Sequence, residues 1–175
     1  MSVIDVIKTR RSIRSFIDKD VTDEDIIKIL DAARLAPSGG NRQRWRFVYI
    51  KDPQVLRMIK NCSTGFYGDA KGVIVMGLEG EGVGQWSSIG LLDIGFSAEN
   101  ILLAAHSIGL GGCAIASFNP EGVKKVINAP EDFRVVLLIS IGYADQNQRN
   151  PTKKKLSEIV FIDEFGMKWD KLEAV

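Results

Sequence analysis

The chain is poor in the residues that usually advertise chemistry. In 175 residues there are two cysteines, Cys62 and Cys113, and one histidine, His106. Two thiols are too few for a disulfide framework, and with one imidazole they do not make a metal site. Both cysteines read as small apolar filler. His106 falls late in an apolar segment, where a core or capping role is commoner than catalysis. Charge of one sign is also missing: 23 Lys and Arg stand against 22 Asp and Glu. A net charge of +1 gives no bulk attraction to nucleic acid or to an acidic membrane, so any basic function is local. There is no G-x-S-x-G elbow, no G-x-x-x-x-G-K-[ST] loop and no G-x-G-x-x-G after a strand. Gly80, Gly82 and Gly84 have the wrong context for that last motif. No internal repeat or composition shift divides the chain, which is expected to form one domain over 1–175. The opening MSVIDVIKTRR carries Asp5 inside its short apolar run, and no run approaches the ~20 apolar residues of a membrane span. The expectation is a cytoplasmic protein. With no side-chain acid–base set in view, a cofactor is expected to carry the chemistry.

What is present is a sequence of well-punctuated elements. Ser2 caps a first helix with Asp5 as its box partner, and Val3, Val6 and Ile7 share a face. Thr22 caps a second helix whose first turn holds Asp23, Glu24 and Asp25, with Ile26, Ile27, Leu30 and Ala33 as its buried stripe and Pro37 as its stop. Trp45 to Lys51 reads as a strand, and Asp52-Pro53 opens a short helix. Val73 to Leu78 is a continuous apolar run, hence a strand buried on both faces. Trp86 to Ser107 is the longest helical pattern and is apolar on most sides, as befits a central or interface helix, with Gly109 as its cap. Leu110 to Ser117 is a short strand, Asn119-Pro120 starts a helix through Ile127, and Phe133 to Tyr143 is the clearest strand. Connections around Gly80–Gly84 and Asp145–Thr152 are expected to be loops. Phe165 and Trp169 stand at helical spacing in the tail. Strands and helices alternate too loosely for a parallel sheet, so the fold class is α+β with helices on both faces.

Two stretches carry candidate chemistry. Arg10, Arg11, Ser12 and Arg14 place forked guanidinium donors and a hydroxyl within five residues, which suits a phosphate. Pro37, Ser38, Gly39, Gly40, Asn41 and Gln43 form a loop whose glycines permit close approach to a flat polar ligand. Taken alone, each has a plainer reading, as a solvated loop and a helix-to-strand connection. Lys153, Lys154 and Lys155 by themselves read as a surface charge run.

The combination RRSIRSF, AARLAPSGGNRQRWRFVYI, LLDIGFSAENILLAAHSIGLGGCAIASF, VVLLISIGYAD and KKKLSEIV resembles the nitroreductase family of FMN-dependent oxidoreductases, in the family's order and over nearly the whole chain. The resemblance implies a sandwich with a mostly antiparallel central sheet flanked by helices, and an intertwined homodimer with FMN at the interface. It implies that Leu156 to Ile162 adds a strand to the partner's sheet and that residues 156–175 form an arm on the partner. It implies that Arg10, Arg11 and Ser12 hold the FMN phosphate and ribityl chain, and that Arg14 lies near N1 and the C2 carbonyl. Pro37, Ser38, Gly39 and Asn41 would come from the other subunit, with Gln43 supporting that loop. Ile115, Ala116 and Ser117 would present a backbone N–H to N5, and Lys153 and Lys155 would close on the phosphate. The implied reaction is hydride transfer from NAD(P)H to FMN followed by reduction of a nitroaromatic, quinone or similar acceptor. Alternatives are a flavin-binding or redox module with another electron donor, or different FMN chemistry such as dehalogenation. Arg44 departs from the family, which often has Pro before the Trp, and the short Glu79–Gly84 connection replaces an inserted helical region.

Overall fold

The structure is a computed structural model that describes residues 1–66, 68–80, 85–145 and 150–172. Among the described residues six α-helices and four strands follow in the order α1 (Val3–Thr9), α2 (Asp23–Arg34), β1 (Trp45–Ile50), α3 (Pro53–Asn61), β2 (Gly72–Leu78), α4 (Gln85–Ser107), β3 (Gly111–Ile115), α5 (Pro120–Val126), β4 (Arg134–Gly142) and α6 (Leu156–Ile159). The strands form one antiparallel sheet in the order β1-β2-β4-β3. Gly82, Gly84 and the loop positions 146–149, expected as connections, lie outside the described residues.

The local signals act as their chemistry requires. Ser2 and Asp5 form a reciprocal capping box, and Thr22 Oγ1 accepts from Asp25 N at 3.2 Å. Asp52 and Asn119 cap α3 and α5, each followed by Pro at the first helical position. Gly109 ends α4 at φ +85°, which lets Leu110 N return to Ala105 O at 2.9 Å.

Both sheet faces are covered, as the uninterrupted apolar run in β2 predicts. Ile74 and Met76 face one core with α2 and α4, while Val73 and Val75 face a second core with α3 and α5. On the first face Ile29, Ala33, Ile101 and Ala105 are fully buried. Burying an Ile or Leu side chain contributes about 1.5–3 kcal/mol, so these two helices are held by packing more than by propensity.

Several expectations need correction. In α2 it is Ile29, not Ile27, that joins Ile26 and Ala33 inward; Ile27 is exposed, because the stripe advances by three and four residues and 27 is out of phase. In α1 only Val6 is buried; Val3, Ile4 and Ile7 face outward. Residues Ser88–Ser107 of α4 are long and apolar enough to cross a membrane, contrary to the run-length reading. Here that helix lies against the sheet and α2 through Ile94, Ala98, Ile101 and Ala105. Leu156–Ile159 is helical rather than the start of a strand, because Lys155 N donates to Glu158 Oε2 at 2.8 Å and caps a turn. Phe165 and Trp169 do not share a helix: Phe161 pairs with Lys168 across a turn, and the Phe161 and Phe165 rings meet at 4.8 Å.

Candidate functional site

The basic strip runs along the free edge of β3. Ile13 N donates to Gly112 O at 3.0 Å, and Ser12 pairs with Gly112 in parallel fashion. Ile13 is buried, which turns its neighbours Ser12 and Arg14 out to solvent by the two-residue alternation of extended chain. Arg10 caps α1, where the helix dipole favours a cation. Its Nε faces Glu99 of α4 at 3.4 Å. Its Nη1 is buried and has no hydrogen-bond partner. A buried unmade hydrogen bond costs about 1–3 kcal/mol, so this donor awaits an acceptor. Arg11 is held rigidly: Nη1 donates to Lys8 O and Arg10 O, both at 2.8 Å, and Nε donates to Asn150 Oδ1 at 3.0 Å. That last bond brings the segment leading to Lys153 and Lys155 beside the strip; both lysines are exposed.

Beyond β3, Ala116 and Ser117 are exposed while Ile115 is buried. Ser117 O accepts from Ser63 Oγ at 2.7 Å and from Gly65 N at 3.2 Å, so this turn is fixed from outside. Gly68, at φ +73°, lies directly against the Arg14 carbonyl. The strip, the β3 exit, Ser63, Gly65 and Gly68 therefore form one surface. A row of cations with a buried vacant donor, next to main chain bare of large side chains, fits a phosphate-bearing flat ligand.

The Pro37–Asn41 loop is elsewhere. Gly39 N donates to Asp93 Oδ1 of α4 at 3.0 Å, and Asp93 is buried. Asp93 and Glu99 are about 9 Å apart along the helix axis, and Asp93 and His106 about 20 Å. The loop is thus tied to the N-terminal half of α4 and the strip to its C-terminal half. Gly40, Asn41 and Gln43 have φ of +60°, +53° and +48°. Left-handed backbone at non-glycine residues costs about 1–2 kcal/mol each and persists only where the surroundings impose it. Here Gln43 N donates to Ser38 Oγ at 3.1 Å and Gln43 Nε2 to Asn41 Oδ1 at 3.1 Å, so Gln43 braces the loop from within. Pro37 and Asn41 are exposed. A cavity of about 470 Å3 opens beside the loop, with Gly39, Arg42, Arg44, Ile89 and Phe133 in its wall. Arg44 is drawn back across it, Nε to Glu79 O at 3.1 Å.

Sequence reasoning missed Asp93, Glu99, Ser63 and Gly68. Asp93 and Glu99 did carry a signal: they are acidic side chains in a helix whose other residues are mostly apolar. Ser63 and Gly68 carried none, since their roles depend on partners fifty or more residues away.

The nitroreductase family model matches residues 7–66 and 59–143. A candidate NADH dehydrogenase/NAD(P)H nitroreductase of Archaeoglobus fulgidus is 34% identical over 144 residues, 79% of this chain and 83% of the relative. One of the same description from Methanothermobacter thermautotrophicus is 33% identical over 155 residues, 84% of this chain and 80% of the relative. Among solved structures, an FMN-dependent nitroreductase of Clostridium difficile superposes with a TM-score of 0.82 at 30% identity, covering 93% of this chain and 99% of the other.

Proposed function

Because the chain belongs to the nitroreductase family of oxidoreductases, we propose that it is an FMN-dependent enzyme passing reducing equivalents from NAD(P)H to a small oxidised acceptor such as a nitroaromatic or a quinone. The observation that carries the cofactor is the buried, partnerless Nη1 of Arg10 at the head of a cationic strip. When bound, the flavin supplies the hydride chemistry. The chain's own residues bind and orient it. Arg10, Arg11 and Ser12 gather on the phosphate, with Lys153 and Lys155 closing from the tail. Arg14 offers an exposed cation where negative charge collects on the ring. Ile115, Ala116 and Ser117 offer main chain to the ring edge, with Ser63 and Gly65 holding that turn. Purified protein is expected to be yellow, with one FMN per chain, and to bleach on anaerobic mixing with NADH or NADPH. A colourless protein that takes up no FMN sinks this reading. Bound flavin that neither nucleotide bleaches favours a redox module with another donor.

The functional unit is proposed to be a homodimer in which the Pro37–Asn41 loop of one subunit serves the flavin held by the other. Two features support this. The loop and the strip are anchored at separate stations on α4, as described above. The outer face of α4 is also apolar: Leu92 and Phe96 are 61% and 50% exposed, and a Cβ on Gly95 would meet nothing. Val3, Ile4 and Ile7 of α1 are outward-facing apolar side chains as well. Phe96→Glu is expected to weaken self-association by at least about 30-fold, the scale of an interface hot spot, and to reduce flavin content in parallel. Sedimentation velocity with absorbance detection checks both; an unchanged dimer would remove α4 from the interface.

A further inference from the structure

Thr9 ends α1 and His106 lies in the last turn of α4, and the reading above uses neither. Thr9 Oγ1 is 2.7 Å from Asp5 O and 2.8 Å from His106 Nε2. A hydroxyl has one proton, and a carbonyl only accepts. The Thr9 proton is therefore committed to Asp5 O, and the bond to His106 requires an Nε2–H that donates to Oγ1. The neutral ring is the Nε2-protonated tautomer. A second proton goes to Nδ1 and leaves the link to Thr9 intact.

The next two residues after Thr9 are the arginines of the strip. Arg10 and Arg11 are the charged side chains that bear on the imidazole. Glu99, two turns earlier on α4, is turned to Arg10, and the Asp5 carboxylate is turned to Ser2. Burial first, and then the two guanidiniums, hold the His106 pKa below the usual histidine value. A dianion on Arg10 and Arg11 would cancel that repulsion.

We propose that His106 is a positioning residue of the anion site: its Nε2–H anchors the end of α1 that presents Arg10 and Arg11, and proton uptake at Nδ1 is coupled to occupation of that site by a doubly charged oxyanion. This rests on reading the strip as the phosphate site. The sign follows from linkage. The anion favours the imidazolium, so the bound-state pKa lies above the free-state one, and binding takes up a proton. The gain in affinity is absent above the bound-state pKa, grows as pH falls through it, and is complete below the free-state pKa.

The chain has a single histidine, so one imidazole Cε1 proton resonance reports this group alone. It is titrated by NMR in the protein alone, with sulfate and with FMN. Sulfate keeps both charges across the range, whereas the FMN phosphate itself titrates near pH ~6. The midpoint is expected to rise with either anion, and sulfate to bind more tightly as pH falls. Each tenfold in Kd corresponds to about one pH unit between the two midpoints. His106→Ala is expected to weaken sulfate and FMN binding about three- to tenfold at neutral pH and to flatten the sulfate profile. His106→Gln, which keeps an N–H donor of similar reach, should restore most of the affinity while the profile stays flat. A midpoint unmoved by both anions, or a His106→Gln protein with the wild-type pH dependence, overturns the proposal. If sulfate moves the midpoint but no flavin is taken up, the flavin reading fails and this one stands. If FMN binds and is bleached while the midpoint stays put, only this proposal fails. Binding of neither anion removes the site and the proposal with it.

Discussion

Arg10→Ala is expected to weaken FMN binding by about 10- to 100-fold while leaving the melting temperature of the apoprotein nearly unchanged. The two halves of this outcome have separate causes. A hydrogen bond to a charged group is worth about 1.5–3 kcal/mol, and a guanidinium on a phosphate makes more than one. In the apoprotein the same side chain contributes little. Its ion pair with Glu99 spans 3.4 Å with a half-exposed carboxylate, a type worth about 0–1 kcal/mol. Against that stands the buried Nη1 with no partner, which costs a comparable amount. Stability is thus given up at Arg10 in favour of binding, and removing the side chain should expose that trade. Arg10→Lys should recover only part of the affinity, because a point charge cannot supply the planar fork. Fluorescence titration with FMN and a thermal melt of the apoprotein check both halves. Wild-type affinity in the alanine variant would mean that the phosphate lies elsewhere.

The second large effect is expected at Gly68. A Cβ there collides with the main-chain carbonyl of Arg14, which cannot turn aside as a flexible side chain would. The residue also sits at φ +73°, where an L side chain costs about 1–2 kcal/mol. Adding about 1–3 kcal/mol for overpacking, Gly68→Ala should destabilise the protein by roughly 2–5 kcal/mol. For a chain of this size that corresponds to roughly 4–20 °C in Tm. If the chain relieves the clash by moving, Arg14 moves with it. Residual folded protein should then bind FMN more weakly, whereas a purely global loss of stability would leave the affinity of the folded fraction intact. A variant with wild-type Tm would show that position 68 does not press on the strip.

How far the site was legible in the chain depends on the reach of each interaction. The Gln43 support of the Ser38–Asn41 loop entered only through the family resemblance, although the bonds that carry it reach just two and five residues along the chain. The strip was readable as a cluster of donors, yet nothing local distinguished Arg10, with its buried unpaired Nη1, from Arg11, whose Nε and Nη1 bond to Asn150, Lys8 and Arg10 and leave Nη2 for a ligand. Ile27 and Ile29 are chemically alike, so composition could not choose between them; only the phase of the helix against the sheet does. The tail misled for a related reason. Aromatics four residues apart fit a helix, but they fit a turn that brings Phe161 to Lys168 equally well, and no core contact on this chain selects between them.

The amino-acid sequence by itself determined where elements begin and end, which runs are buried on both faces, and which residue types are available to an anion. Those outcomes rest on capping bonds, φ preferences and hydrophobic periodicity, all of which act within a few residues. Only the tertiary structure decided that the strip lies on the β3 edge through Ile13 and Gly112, that Glu99 and His106 stand behind its arginines, and that Asp93 holds the Gly39 loop in the other half of the same helix. These pairings join residues separated by 54 to 99 positions, and they form only once two apolar faces have packed on one sheet. Packing is non-directional and is shared over many side chains, so its geometry is a property of the folded whole.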